Sequence, residues 1–287
     1  NDKLTNVNLT TMAIEAEPSR NFVTRISGTY KTLESASSTF SLDYFTDASQ
    51  TETKSEIKQY ETALSLSYFP KREMTGFGVE RRVKNSDFAQ LFAQVTRGDK
   101  GVFDSDFDYT KLQFSYIQPI AVGGFGRLTT SIEVGKTYGQ IPLALMSVVP
   151  GNQSYFSIYN TFSQLDFYEF VTDEYATLHV EHNFNGRLFS RIPLLKKLNL
   201  RAIVGFRGVM GDVSQENRDI NASFNPDGTP FVYVAPNKEA YYEYSIGVGN
   251  IFKVFRIDFN FRGNYLDPSF NPDARKFGVT GSFGFYF

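Results

Sequence analysis

The final stretch of the chain, Ala274 to Phe287, constrains the fold more than any other. It reads ARKFGVTGSFGFYF, and its apolar side chains recur at every second position up to the last residue. A period of two is the repeat of a β-strand with one apolar and one polar face. A transmembrane β-barrel regularly ends this way, because its last strand must be paired rather than leave an open edge in lipid. The apolar positions are Phe277, Val279, Phe283, Phe285 and Phe287, and the polar ones are Lys276, Thr280, Ser282 and Tyr286.

The same alternation recurs on about thirteen segments of roughly ten residues, the strand length of membrane barrels. In the clearest, 253–264, apolar residues alternate with Arg256, Asp258, Asn260 and Arg262. One such strand fits a soluble β-sandwich equally well, with Phe inward and charge outward. The number of strands, their length and an aromatic content of 16% together favour the barrel. The predicted strands are 3–15, 21–33, 36–47, 56–69, 73–84, 88–98, 107–119, 124–136, 173–184, 197–211, 239–251, 253–264 and 275–287.

Composition excludes several other classes of protein. No run approaches the roughly 18 apolar residues of a membrane helix. The chain has no Cys, so it has neither a disulfide framework nor a thiolate metal site. A net charge of −2 gives no reason to expect nucleic acid as a partner. We therefore predict an all-β, antiparallel transmembrane β-barrel that carries no cofactor.

Connections between the predicted strands alternate between short turns and two long loops, 137–172 and 212–238. Barrels have short periplasmic turns and long outer loops, which would place Phe287 on the periplasmic side. Counting back from Phe287, the first predicted strand also runs inward, and Asn1 would lie at the outer rim. Both ends of a complete barrel are periplasmic, so we expect an odd number of strands upstream. The prediction is a barrel domain over 1–287, the C-terminal part of a longer protein with about 14–16 strands.

Loop 137–172 is too long and too apolar to extend freely into water. Aliphatic residues dominate its first part, and Phe and Tyr its second. We expect it to plug the barrel lumen or to cap a partner, and an outer subdomain with its own small core is the alternative. The predicted plug residues are Gly151, Asn152, Tyr155, Glu169, Phe170 and Asp173.

Charged and polar residues on the lumen parity are the candidate functional residues. His179 and His182 lie on one predicted strand with opposite parity, whereas a metal needs three or four convergent ligands. Nothing in the sequence brings His179 to a serine and a carboxylate, as a hydrolase requires. We predict no catalytic residue, no metal site and no enzyme activity. The predicted lumen network comprises Arg201, Arg207, His179, Glu181, Arg256, Asp258 and Arg262.

The region Gly135 to Arg201 contains GKTYGQIPLALMSVVPGNQSYF and FYEFVTDEYATLHVEHNFNGRLFSRIPLLKKLNLR. It resembles the barrel of a Bacteroidota family of unknown function whose members carry an N-terminal carboxypeptidase-regulatory-like domain. The resemblance covers roughly residues 70–287. Its matching positions are Gly135, Lys136, Gly139, Pro142, Leu145, Gly151, Asn152, Tyr155, Glu169, Phe170, Asp173, Glu181, His182, Phe184, Asn185, Gly186, Ile192, Pro193, Leu194, Leu195 and Leu198.

The strands after loop 137–172 give a more distant resemblance, to the BamA/TamA superfamily of outer-membrane assembly barrels. Those barrels carry an Arg-Gly motif at the tip of the corresponding loop, but 137–172 contains no Arg, and Arg207-Gly208 lies on a predicted strand. The resemblances imply an outer-membrane component of an envelope complex with an assembly or translocation role. A channel, transport or purely structural barrel is the alternative. The implied partners are the lipid bilayer, the barrel assembly machinery during biogenesis, and other outer-membrane or periplasmic proteins.

Phe283, Phe285 and Phe287 are predicted to form the C-terminal signal that an assembly machinery reads, since it must pair with the last strand of its client. Phe287→Ala removes only about 1.5–3 kcal/mol of burial, too little to unfold a barrel. We expect the amount of inserted protein to collapse while the unfolding temperature of the inserted fraction stays nearly constant. Both are measured in the same strain. Normal membrane levels of the variant would leave Phe287 with a packing role alone.

Overall fold

The structure is a computed structural model that describes residues 3–37, 40–47, 49–222, 234–267, 271 and 274–284. Of the predicted C-terminal signal, Phe285 and Phe287 lie outside the described residues. Phe283 lies at the end of the last strand, with 63% of its surface exposed.

Long antiparallel strands build the molecule, and the alternating sequence segments form them. In chain order the strands are β1 (Thr5–Ser19), β2 (Phe22–Ser35), β3 (Tyr44–Phe45), β4 (Thr53–Lys54), β5 (Ile57–Tyr68), β6 (Met74–Thr75), β7 (Arg82–Val83), β8 (Gln90–Gly98), β9 (Tyr109–Ala121), β10 (Arg127–Tyr138), β11 (Ser147–Val148), β12 (Val171–Thr172), β13 (Glu174–Asn183), β14 (Arg201–Asp212), β15 (Tyr241–Ile251), β16 (Phe255–Arg262) and β17 (Phe277–Phe283).

Helices are short and lie in the connections. They are α1 (Pro193–Lys196), α2 (Gln215–Asp219) and the 3-10 turns Gly78–Glu80, Val102–Asp104, Gly123–Phe125, Leu143–Leu145 and Phe189–Arg191. Within the described ranges, no helix is long and apolar enough to cross a membrane.

One antiparallel sheet of 11 strands contains all the long strands, in the order β1-β2-β5-β8-β9-β10-β13-β14-β15-β16-β17. Each long strand therefore pairs with the next one along the chain. The remaining strands form the two-stranded pairs β3-β4, β6-β7 and β11-β12. Because the long strands alternate in direction, the connections 139–173 and 213–240 leave the sheet at the same end. We call this the loop end, and the opposite end the turn end.

Two of the predicted long strands are absent, so the count of thirteen is not confirmed. In 36–47, Phe40, Leu42 and Tyr44 are part of the loop-end core and do not join the 11-stranded sheet, so the period of two arises there from core packing. In 73–84, the chain turns back on itself between β6 and β7, with left-handed backbone at Gly76 and Gly78. A pattern of alternation cannot show a reversal of this kind.

The two faces of the sheet have the opposite burial to that of a soluble sandwich. On β16, Asp258, Asn260 and Arg262 are at most 4% exposed, whereas Ile257 and Phe259 are each 38% exposed. The exposed apolar positions extend across neighbouring strands, because Val204 pairs with Ile246, Ile246 with Phe259, and Phe259 with Val279. The result is a continuous exposed apolar face. It includes Leu112, Phe114, Ile132, Val134, Leu178, Val204, Phe206, Tyr244, Ile246, Ile257, Phe259, Phe277 and Val279.

The core lies at the loop end, on the polar side of the sheet. Most of it comes from 139–173, which buries ten apolar or aromatic side chains to 7% exposure or less: Ile141, Leu143, Leu145, Met146, Val149, Phe162, Leu165, Tyr168, Phe170 and Val171. Phe40 packs against Tyr168 with ring centroids 4.7 Å apart. Burial raises the pKa of the Tyr168 hydroxyl, so it stays neutral at physiological pH.

Both outer strands of the sheet have an edge without a strand partner among the described residues. β1 pairs with β2 and β17 with β16, and no ladder joins β1 to β17. Unpaired backbone groups on such edges attract further strands, and in lipid they cannot be left open.

Tyrosines on the polar face cover glycines on neighbouring strands. Gly135 on β10 pairs directly with Tyr175 on β13, and a Cβ at Gly135 would meet the Tyr175 ring at 2.5 Å. The ring is fixed in turn, because the Tyr175 hydroxyl donates to Glu133 at 2.6 Å. Glycine at 135 therefore lets the aromatic ring lie flat on the sheet.

Gly135→Ala should displace the Tyr175 ring and break its hydrogen bond to Glu133. We expect a loss of about 1–3 kcal/mol in unfolding free energy, the usual cost of overpacking. Gly186→Ala is the matched control, since its added Cβ would lie 3.8 Å from the nearest neighbour. Urea unfolding from detergent micelles measures both. Equal stability of the two variants would contradict the proposed role of Tyr175.

Candidate functional site

Segment 139–173, which connects β10 to β13, covers the polar face of β13–β17. It begins against α2, where Asn217 Oδ1 accepts from the backbone N–H of Ile141 and Asn221 Oδ1 accepts from that of Leu143. It ends at Asp173, whose carboxylate accepts from Ser214 N–H and from the Asn217 amide. Both ends of the segment are therefore tied to the connection between β14 and β15.

Glu243 on β15 is the main anchor for the middle of the segment. Its carboxylate is 1% exposed and accepts from the backbone N–H groups of Ser163 and Gln164, each at 2.8 Å. It also accepts from the Tyr241 hydroxyl at 2.7 Å and lies 3.7 Å from the Arg207 guanidinium. A buried carboxylate needs such partners, because loss of its hydration is costly. The segment thus supplies hydrogen-bond donors that offset the free-energy cost of burying the Glu243 carboxylate.

Arg207 on β14 extends this contact. Its guanidinium donates to Ser163 Oγ at 2.8 Å and to Asn260 Oδ1 at 3.4 Å. Arg207 belongs to the predicted lumen network, whereas Glu243 is not among its predicted members. The two residues are direct partners in the β14–β15 register, so strand pairing is the signal that identifies Glu243.

Arg262 on β16 forms a second anchor. Its side chain is fully buried, with Nη2 at 2.7 Å from Glu169 and 2.8 Å from the Tyr265 carbonyl. Its guanidinium also lies 5.0 Å from the centre of the Tyr241 ring. Glu169 and Phe170 belong to the predicted plug residues, and Phe170 packs on the same Tyr241 ring at 5.2 Å.

Arg256 forms a third group nearer the turn end. It binds Glu181 on β13 through two nitrogens, at 2.7 and 3.1 Å, and Asp258 at 2.7 Å. Ser157 of the segment reaches this group, because its hydroxyl lies 3.4 Å from Asp258 and 2.9 Å from Thr280. Ion pairs thus link β13 to β16, and the Ser157 hydroxyl connects this group to Thr280 on β17.

The predicted network is therefore divided among these groups, and its member His179 on β13 pairs directly with Arg207 on β14. The His179 ring packs edge-on against Phe162 at 5.0 Å, while His182 lies on the opposite face and contacts the Phe125 carbonyl at 3.0 Å. Arg201 begins β14 at the turn end, where it pairs with Gly249 on β15. Over the described ranges, no group of three His, Cys, Asp or Glu side chains could hold a metal ion.

The remaining predicted plug residues shape the segment itself. A Cβ at Gly151 would collide with the Leu165 carbonyl, so glycine allows these two backbones to meet. Asn152 is 1% exposed, and its side chain donates to the Phe156 carbonyl and accepts from the Ser154 N–H. Both residues hold the bend that directs 154–157 towards β17.

Residues 155–157 reach the outer edge of β17. Gly281 N–H donates to the Tyr155 carbonyl, and the Ser157 N–H donates to the Gly281 carbonyl, both at 2.8 Å. This is a parallel bridge centred on Phe156, whose ring also lies 5.8 Å from that of Phe283. The segment thus occupies one hydrogen-bonding position of an otherwise open strand edge. We call residues 155–157 the edge clasp.

A cavity of about 290 Å³ remains between the segment and β9, β10 and β13. It combines apolar side chains of the segment with polar side chains of the strands. Its lining includes Lys111, Glu133, Val149, Phe162, Tyr175 and His179.

Comparison with known proteins places the chain in a family and shows that its fold is similar to a solved structure. Residues 27–220 match the family of unknown function (DUF5686) C-terminal domain, a range that begins and ends earlier than the expected 70–287. No curated protein matches. Among solved structures, the chain is similar to BamA from Haemophilus ducreyi lacking POTRA domains 1-3, with a TM-score of 0.58 and 9% identity.

The alignment with BamA covers 98% of this chain and 55% of that chain. This chain therefore spans about half the length of the BamA chain. At such low identity the likeness is one of fold, and the predicted resemblance to BamA is confirmed at that level.

Glu243→Ala should free the middle of segment 139–173, because it leaves Arg207 and two backbone N–H groups without their acceptor. Removing one partner of a buried ion pair costs about 3–5 kcal/mol. We expect new protease cleavage within 139–173 and a lower urea midpoint. Glu174→Ala is the control, because its pair with Lys136 is nearly half exposed. An unchanged cleavage pattern in Glu243→Ala would show that Glu243 does not anchor the segment.

Proposed function

We propose that this chain, which belongs to the DUF5686 family of unknown function through its C-terminal domain, is an integral outer-membrane β-barrel protein. Its proposed role is assembly or translocation in an envelope complex. Its source in the Bacteroidota and an upstream carboxypeptidase-regulatory-like domain are parts of the same proposal. So are its lipid and protein partners, including the barrel assembly machinery during biogenesis.

The inverted burial of the sheet carries this proposal. A contiguous apolar face that crosses the long strands is a feature that soluble monomers rarely expose. Its opposite face buries Glu243, Arg262, Asp258 and Asn260. Lipid outside and polar groups inside account for both faces at once. The fold likeness to BamA supports the same assignment.

Two features favour assembly over a permanently open pore. Segment 139–173 fills the space beside the polar face, acting as a plug held by Glu243 and Arg262. The edges of β1 and β17 are open to further strands, from upstream parts of the protein or from a client. The edge clasp at Gly281 bonds one position, which leaves the β17 edge available elsewhere.

A channel is the second candidate. The cavity of about 290 Å³ supports it, because movement of segment 139–173 would join this space to the loop end. In that case the segment acts as a gate rather than as a fixed plug.

Ile246→Lys tests the membrane assignment. Ile246 lies mid-strand in β15 on the apolar face and is 55% exposed. A lysine there costs about 2–4 kcal/mol in a bilayer and almost nothing in water. We expect wild type in the membrane fraction and a strong loss of inserted Ile246→Lys. The control is Val102→Lys, a similarly exposed loop position. Recovery of wild type in the soluble fraction without detergent would refute the proposal.

Cross-linking separates the assembly role from the channel role. The chain has no cysteine, so Val279→Cys on the β17 edge is a unique thiol. An assembly barrel should form a disulfide with a cysteine-bearing peptide of alternating apolar and polar residues, whereas Leu178→Cys in the middle of the sheet should not. Steady ion conductance by wild type in a planar bilayer, with no peptide adduct at Val279→Cys, would favour the channel.

A further inference from the structure

A large groove lies at the turn end, between residues 184–200 and the turn 251–254. Its volume is about 1,280 Å³. One wall is apolar and continues the exposed face of the sheet through Val248, Ile257 and Phe259. The other wall carries basic and amide side chains, including Lys197, Asn250 and Lys253. The groove therefore joins an apolar surface to a polar, cationic rim.

The segment beside the groove is strongly basic. From Phe184 to Arg201 the sequence FNGRLFSRIPLLKKLNLR contains no Asp or Glu. Arg187 is engaged by the neighbouring turn, lying 3.9 Å from the Phe125 ring and donating to the Gly124 carbonyl. Lys197 and Lys253 are exposed, and neither forms an ion pair with a carboxylate in the described part of the chain. Their charge is available to an anion in the groove.

Large apolar side chains of the same region project outward. Leu194 is 85% exposed, Leu198 57% and Phe252 87%. Leu and Phe beside lysines form the pattern of a surface that lies at a membrane interface, with apolar side chains among acyl chains and cations among phosphates. The groove lies at the end of the apolar face, which is where the membrane interface would lie.

Asn250 places a buried polar side chain in the lining of the groove. It is 8% exposed, and its amide nitrogen donates to the Asn199 carbonyl at 2.8 Å. Its Oδ1 is buried and accepts no hydrogen bond from the described chain. This oxygen is available to accept a hydrogen bond from a water molecule or from a hydroxyl of a ligand in the groove.

We propose that this groove binds an anionic glycerophospholipid whose head group carries hydroxyls, with phosphate at Lys197 and Lys253 and acyl chains along Val248, Ile257 and Phe259. A head-group hydroxyl donates to Asn250 Oδ1. The site rests on the proposed membrane insertion. It would fix the turn end of the sheet at the phospholipid leaflet and set the depth of the barrel.

Native mass spectrometry of the full chain, released from micelles that contain equal amounts of phosphatidylglycerol and phosphatidylcholine, tests the site. We expect phosphatidylglycerol to be retained at least tenfold better by wild type. Lys197→Gln/Lys253→Gln should abolish most of this preference, since each cation near a lipid surface is worth about fivefold in affinity. The control is Lys238→Gln, an exposed lysine at the loop end.

Three outcomes would overturn the site. They are equal retention of the two lipids by wild type, an unchanged preference in the double variant, and an equal loss in Lys238→Gln. Displacement of the lipid by equimolar glycerol phosphate would overturn the part assigned to the acyl chains. These failures are distinct from failure of the proposed function, which would appear earlier as protein that does not enter the membrane fraction.

Discussion

Charge on the polar face of the sheet is the constraint on which the rest of the structure depends. Glu243 and Arg262 are nearly or fully buried, and each carries a cost of desolvation that partners must offset. The sheet supplies some of these partners, and segment 139–173 supplies the others through Ser163, Gln164 and Glu169. The position of the segment therefore follows from satisfying the buried charges of the sheet.

The same interactions limit what the segment can do. Its apolar residues pack in two clusters that they share with residues outside the segment, including Leu42, Val213 and Tyr241, so the segment is folded against the rest of the protein. Its contacts with the sheet are polar at Glu243 and Arg262, and they are also apolar, because Phe162 and Phe170 pack against the Tyr241 ring. Departure of the segment from the sheet would therefore expose apolar side chains as well as buried charges. This combination suits a plug, and it links the edge clasp on β17 to the state of the segment.

The two ends of the sheet differ in how their charged side chains are paired. The loop end holds the core, the anchors and the edge clasp. The turn end carries the basic segment 184–200 and the groove beside Asn250, with no acidic side chain in that stretch. Charge is thus neutralised within the protein at one end and left for an external partner at the other. If the protein is inserted in a membrane as proposed, that asymmetry would orient the sheet with respect to the bilayer.

The sequence by itself determined the long strands and their two faces, because a period of two is a local property that the chain shows directly. It also indicated that 139–173 is too apolar for water and that Arg207, Arg256 and Arg262 share a face. On any one strand it could not show which face of the sheet is covered, since the alternation is the same in either case. The tertiary structure showed which face is covered. It also showed that 36–47 and 73–84 do not form long strands, because core packing and a chain reversal produce the same alternation there. The roles of Glu243 and Gly281 also required the tertiary structure, because each depends on a register or a contact between residues about 36 to 126 positions apart in the chain.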